Sequence, residues 1–97
     1  MLRRHWLLRA RVKSDAGFTV DLILYGGKIV YRRGRQSVKI HTDHYESPDR
    51  PIGVLLSERA TWEPSGTPLT AEERVQIRQD ALDVLEFDGV KVRSFHI

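Results

Sequence analysis

The sequence predicts an α+β domain, an antiparallel sheet of about five to six strands with one helix from the C-terminal half packed on one face. Three observations carry this reading. Apolar and polar residues alternate at a period of two through most of residues 5–62. A longer pattern with a period of 3.6 lies between Ala71 and Phe87. A chain of 97 residues leaves room for one core, so residues 1–97 are expected to form a single domain without a large enclosed cavity.

In residues 5–13, Trp6, Leu8, Ala10 and Val12 fall on one face and His5, Leu7, Arg9, Arg11 and Lys13 on the other, which reads as one half-buried strand with a basic outer face. Ser14-Asp15-Ala16-Gly17 signals a turn. Residues 18–25 then alternate Phe18, Val20, Leu22 and Leu24 against Thr19, Asp21, Ile23 and Tyr25, closing a hairpin. Gly26-Gly27 supplies the positive φ of a tight turn. Residues 28–33 form a third strand and residues 36–41 a fourth, with Gly34 between them and Val38 and Ile40 facing inward. Residues 42–51 lack periodicity and contain two prolines, which predicts a loop. Alternation resumes through Ile52, Val54, Leu56, Ala60 and Trp62, giving a fifth strand over residues 52–62.

After a proline-rich loop at 63–68, Thr70-Ala71-Glu72-Glu73 is a capping box: the Thr70 hydroxyl accepts from the Glu73 amide while the Glu73 carboxylate reaches back to the Thr70 amide. The helix begins at Ala71 and runs to about Phe87, where Asp88-Gly89 ends it in a left-handed cap before a last strand at 90–95. On a helical wheel Val75, Ile77, Ala81, Leu82, Val84 and Leu85 fill one half. Glu72, Gln76, Gln79, Asp80, Asp83 and Glu86 fill the other, an acidic face turned to water. Arg74 and Arg78 fall within the apolar half and are expected to snorkel past it or to pair with Glu73 or Glu58. The expected core is Trp6, Val20, Leu22, Ile40, Val54, Leu56, Trp62, Ile77, Leu82 and Leu85.

Sixteen Lys and Arg against 13 Asp and Glu give a net charge of +3 and a pI near 9.6. Resolved along the chain, residues 1–41 hold ten basic and two acidic groups, or +8, and residues 42–97 hold six and eleven, or −5. The modest net charge is thus the difference of two opposed segments. Cysteine is absent, which excludes disulfides, thiolate metal sites and cysteine nucleophiles. In a strand His41 and Asp43 share a face and His44 points away, and no second ligand cluster stands at metal spacing. The serines lack a nucleophile-elbow signature, and carboxylate pairs occur only on the exposed helix face, where water screens them. No catalytic residue, metal or cofactor is expected, and an enzyme is not. The apolar run Trp6-Leu7-Leu8 is too short for a signal peptide or a spanning helix, so a cytoplasmic protein without membrane association is expected.

Two surfaces stand out as binding candidates. Arg9, Arg11 and Lys13 line one strand face, and Arg32, Arg33, Arg35 and Lys39 surround a hairpin, so that together they could neutralise several phosphates. Stacking aromatics are sparse beside them, Tyr25 and Tyr31 being the available platforms. A small basic nucleic-acid-binding module is therefore the alternative reading. The other surface is the acidic loop carrying Asp43, Glu46 and Asp49 beside His44 and Tyr45, which could enter a basic cleft on a protein partner.

Tyr31-Arg-Arg-Gly-Arg-Gln-Ser-Val-Lys-Ile40, Gly53-Val-Leu-Leu56 ahead of Trp62-Glu-Pro64, Leu69-Thr-Ala-Glu-Glu-Arg-Val-Gln-Ile77 and Gly89-Val-Lys-Val92 together resemble a family of small immunity proteins. These accompany bacterial polymorphic toxins, including contact-dependent growth-inhibition systems. The likeness covers about residues 28–95 and leaves out the N-terminal hairpin. It implies a cytoplasmic, non-catalytic antitoxin that forms a one-to-one complex with the C-terminal toxin domain of a cognate effector. Such toxins are often nucleases, tRNA-cleaving enzymes among them, and direct nucleic-acid binding by the inhibitor is not expected. The toxin-facing residues expected on this reading are Asp43, His44, Tyr45, Glu46 and Asp49 first, and Arg32, Arg33 and Arg35 second.

Overall fold

A computed structural model describes residues 2–6, 10–43 and 50–97, and for residues 2–6 and 10 it describes the backbone. Strands β1 (Leu2–Trp6), β2 (Ala10–Ser14), β3 (Phe18–Ile23), β4 (Lys28–Arg33), β5 (Gln36–Thr42), β6 (Ile52–Leu55) and β7 (Val92–His96) form one sheet in sequence order. Helix α1 (Ala71–Phe87) lies between β6 and β7 in the chain. The architecture is α+β, one helix against one mixed sheet.

Neighbouring strands from β1 to β6 pair antiparallel, and β6 and β7 pair parallel. The parallel pair follows from the connection. A strand that returns after a helix can lie parallel to its predecessor, whereas a tight hairpin cannot achieve this. The single strand expected over residues 5–13 is two strands, β1 and β2, with Trp6 opposite Ala10. That stretch contains no Gly, Pro, Asn or Asp, so alternation reads straight through it. The strand expected over 52–62 stops at Leu55. Residues 57–60 turn back on themselves, with the Ala60 amide bonded to the Ser57 carbonyl at 3.1 Å and the Arg59 amide to Ser57 Oγ at 3.1 Å.

Register aligns the inward residues in rows across the strands, Val12 with Val20, Tyr31 and Val38, and Leu22 with Ile29 and Ile40. Ile77, Ala81, Val84 and Leu85 of α1 cover them, all fully buried. Of the expected core, Val20, Leu22, Ile40, Val54, Leu56, Trp62, Ile77 and Leu85 are buried and Leu82 is half-buried; the side chain of Trp6 lies outside the described residues. The capping box forms as expected, with Thr70 Oγ1 accepting from the Glu73 amide at 3.1 Å and Glu73 Oε1 accepting from the Thr70 amide at 2.8 Å. Glu73 Oε2 also accepts from Trp62 Nε1 at 2.9 Å, tying the helix start to the core. Gly89, at φ 73°, takes the left-handed turn beyond the helix.

The helix is rotated from its expected setting. Asp80 is buried rather than exposed, and Val75 is 69% exposed. Tyr31 is responsible, because its hydroxyl rises from the sheet to Asp80 Oδ2 at 2.6 Å. Arg33 Nη2 joins the same oxygen at 3.2 Å, and Gln76 Nε2 donates to Asp80 Oδ1 at 2.8 Å. Arg74 caps the 57–60 turn by donating to the Ser57 carbonyl at 2.7 Å, and Arg78 is exposed. Among the described residues no helix is long and apolar enough to cross a membrane.

Candidate functional site

The same register that aligns the core puts a second set of residues on the opposite, outer face of the sheet. One row runs Lys13, Thr19, Arg32, Ser37; the next runs Arg11, Asp21, Val30, Lys39; the third runs Ile23, Lys28, His41, Leu55, His96. Over β2 to β5 this face carries five cations, Arg11, Lys13, Lys28, Arg32 and Lys39, against one carboxylate, Asp21. The acidic residues Glu72, Asp83 and Glu86 are exposed on the helix, on the other side of the molecule. The charge asymmetry of the sequence is therefore an asymmetry in space.

Asp21 organises the basic face. It is fully buried although it points away from the core. Arg11 grips it through Nε to Oδ1 at 2.6 Å and Nη2 to Oδ2 at 3.2 Å, and Arg32 Nε reaches the same Oδ2 at 3.5 Å. A guanidinium matches a carboxylate as a planar fork, so the buried acid fixes the orientation of Arg11 and holds Arg32 beside it through one longer contact. Their side chains stay 37% and 45% exposed, leaving further N–H donors turned outward. The hydrogen bond and charge of Asp21 raise the pKa of Arg11 above its already high value. Val30, 6% exposed, lies beside Asp21 in the same row, where the aliphatic stems of long cationic neighbours can cover it.

The expected arginines do not converge. Arg32 stands on the outer face. Arg33 turns to the inner side, where its Nε donates to Tyr31 Oη at 3.1 Å and its guanidinium lies 5.8 Å from the Phe18 ring centre. The Tyr31 hydrogen bond and the neighbouring Asp80 raise its pKa. Arg35 is exposed in the turn between β4 and β5. Asp43, expected to face a partner, is held within the chain by an ion pair with Arg93 and by the Gly53 amide at 2.9 Å. His44, Tyr45, Glu46 and Asp49 lie outside the described residues.

The Arg11–Asp21 pair was legible only through hairpin register. A three-residue turn, Asp15-Ala16-Gly17 with Gly17 at φ 92°, sets Val12 opposite Val20 and hence Arg11 opposite Asp21. The Tyr31–Asp80 contact spans 49 positions and has no local signal.

Among the described residues, shallow grooves open along the third and second rows. One, of about 280 Å³, lies between β5 and residues 57–63 and is lined by Lys39, His41, Ser57, Arg59, Thr61 and Glu63 among others. Another, of about 240 Å³, lies over β6 and β7 beside His41, Asp43, Leu55, Arg93 and His96. Among the described residues no group of three or more His, Asp or Glu is placed to hold a metal ion. Comparison of the chain with family models, curated proteins and solved structures finds no match.

Proposed function

We propose that this chain is a non-catalytic inhibitor of the immunity type, which neutralises a cognate toxin domain by laying the outer face of its sheet over that domain's acidic groups. The observation that carries the reading is the buried Asp21 holding Arg11 and Arg32 side by side on an exposed basic face. Pre-oriented arginines lose less freedom on binding and recognise carboxylates in pairs of parallel hydrogen bonds. A nuclease gathers carboxylates around its reacting centre, so a rigid arginine face is suited to cover them. The one-to-one toxin complex, the absence of catalysis and a cytoplasmic setting belong to the same proposal.

A protein partner is favoured over nucleic acid by the placement of the rings. Sheet-type RNA binders stack bases on aromatic side chains of the open face. Here Phe18 and Tyr31 stack on each other on the inner side, ring centres 5.7 Å apart, and Trp62 lies 6.3 Å from Tyr31. Tyr25, the other expected platform, is exposed in the 24–26 turn beyond the strands, so the rows of β2 to β5 themselves offer point charges and guanidinium groups.

The test is a calorimetric titration of the chain with the C-terminal domain of a large secreted effector encoded beside it. The Arg11→Ala/Arg32→Ala variant is expected to lose about 2 kcal/mol or more, roughly 30-fold in affinity. Unchanged affinity overturns the assignment of the face. Salt-dependent retention of RNA by the isolated chain, without toxin binding, replaces the proposal with the nucleic-acid reading.

A further inference from the structure

The ladder on the far side of β5 is broken in its middle. Ser37 exchanges both backbone hydrogen bonds with Glu63, at 2.9 and 2.8 Å, and the Asp43 amide donates to the Gly53 carbonyl at 3.0 Å. Between them β5 pairs with β6 only at His41 and Thr42. Backbone groups of an antiparallel strand alternate from side to side, so Lys39 turns its N–H and C=O the same way as Ser37 and Asp43. No strand residue stands opposite it there. From Ser37 to His41 β5 advances four residues, roughly 13 Å, while the facing chain takes eight from Leu55 to Glu63 and loops away.

The result is the open groove of about 280 Å³. Its ends differ. Glu63 stands at the Ser37 end and His41 at the other, with Lys39 between them and Arg59 on the facing turn. The Lys39 ammonium, the Arg59 guanidinium and the His41 imidazole make no hydrogen bond or ion pair within the described residues. Three nitrogen-bearing side chains, and a Lys39 N–H and C=O without a backbone partner among the described residues, thus line one cleft. It opens in the same row as Arg11 and Asp21.

We propose that this notch is a receptor for a protein carboxylate: an aspartate or glutamate at the tip of a loop of the partner enters it. The acid sits between Lys39 and Arg59, away from Glu63, and the loop's peptide group bonds the Lys39 backbone as a missing rung of the sheet. This rests on the reading of the outer face as the partner-binding surface and names the chemistry of one contact on it. A loop tip fits better than a strand, because the paired residues at both ends block an extended chain from lying along the gap.

The notch can be tested without the toxin. The ¹⁵N-labelled chain is titrated with N-acetyl-aspartate methylamide, with its asparagine counterpart and with inorganic phosphate, and amide shifts are followed. The aspartate probe is expected to give a saturable shift centred on Lys39 and the 59–61 amides. Arg59→Gln, at an exposed side chain, is expected to raise the half-saturating concentration roughly tenfold, the scale of one charge-assisted hydrogen bond, with the rest of the spectrum unchanged. A non-saturating shift, an equal response to the asparagine probe, or a stronger one to phosphate overturns the proposal. Toxin binding that survives such a failure leaves the basic face standing and removes the notch alone.

Discussion

Tyr31 Oη donates a 2.6 Å hydrogen bond to Asp80 Oδ2, joining β4 to α1 across 49 positions of sequence. It sets the rotation of the helix, because a carboxylate can be buried here only where donors meet it. Asp80 has three, from Tyr31, Arg33 and Gln76. Tyr31→Phe removes the shortest, together with the acceptor of Arg33 Nε, and leaves the other two donors to Asp80 in place. The expected loss is about 1.5–3 kcal/mol, the range for a hydrogen bond to a charged group. Urea denaturation checks it as a lower midpoint with an unchanged slope.

The same tyrosine makes stability fall in alkali. Burial, with the Asp80 hydrogen bond adding to it, pushes the Tyr31 phenol from 10.0 up to about 12. A raised folded value means that its contribution is complete below pH 10 and is lost as pH rises through 12, since the unfolded chain releases the proton first. Wild type is therefore expected to lose stability between pH 10 and 12 more steeply than Tyr31→Phe. Parallel slopes in the two proteins count against the buried phenol.

Glu73 acts at the other end of the pH range. Its bond from the Thr70 amide, and next the Trp62 indole, hold its carboxyl below the ordinary 4.5. A lowered folded value gives stability that is present above pH 4.5 and lost as pH falls through the folded value. Glu73→Gln is expected to flatten the acid limb of the stability curve and to shift Trp62 fluorescence at neutral pH. An acid limb unchanged by the substitution contradicts this assignment.

Elements whose cause is local were readable in the sequence. The Thr70–Glu73 capping box, the turn at Gly27 and the inward-facing Val20, Leu22, Ile40 and Val54 all follow from spacing within a few residues. The divided first strand was hidden because residues 5–13 offer no turn residue, and the early end of β6 because alternation continued in Ala60 and Trp62. Asp80 was misplaced on the wheel for a different reason: its partners come from β4, and a wheel knows only its own helix. The candidate face was half legible. Its cations were visible in β2, β4 and β5, but Asp21 as their common anchor required register. Arg32 and Arg33, adjacent in sequence, were separated by the strand period to opposite faces.

Gly53 leaves space for the Asp43–Arg93 pair. A Cβ there would stand 2.8 Å from Asp43 Oδ2, 3.0 Å from Ser94 Oγ and 3.1 Å from Arg93 Nη2. All three are ends of side chains and can swing aside, so Gly53→Ala is expected to break the pair and keep the sheet. Both partners are half-exposed or more, which limits the cost to under about 1 kcal/mol. A larger loss in thermal unfolding shows that the β6–β7 backbone moved instead.

Asp21→Asn separates charge from orientation. The substitution adds one positive unit to the basic face, so long-range attraction to an acidic partner is maintained or strengthened. It also replaces one carboxylate oxygen by an N–H₂ group that repels the guanidinium it faces, freeing Arg11 and Arg32 to rotate. Because both arginines reach water, folding stability is expected to fall by only about 1–2 kcal/mol. If the proposed toxin-binding role holds, association with the toxin domain measured by surface plasmon resonance is then expected to show an unchanged or faster on-rate and an off-rate raised roughly tenfold. Tighter binding would mean that the face works by net charge alone, with Asp21 as a diluent of it; a slower on-rate with an unchanged off-rate would place the contact elsewhere. Only a faster off-rate without slower encounter matches two arginines held ready by a buried acid.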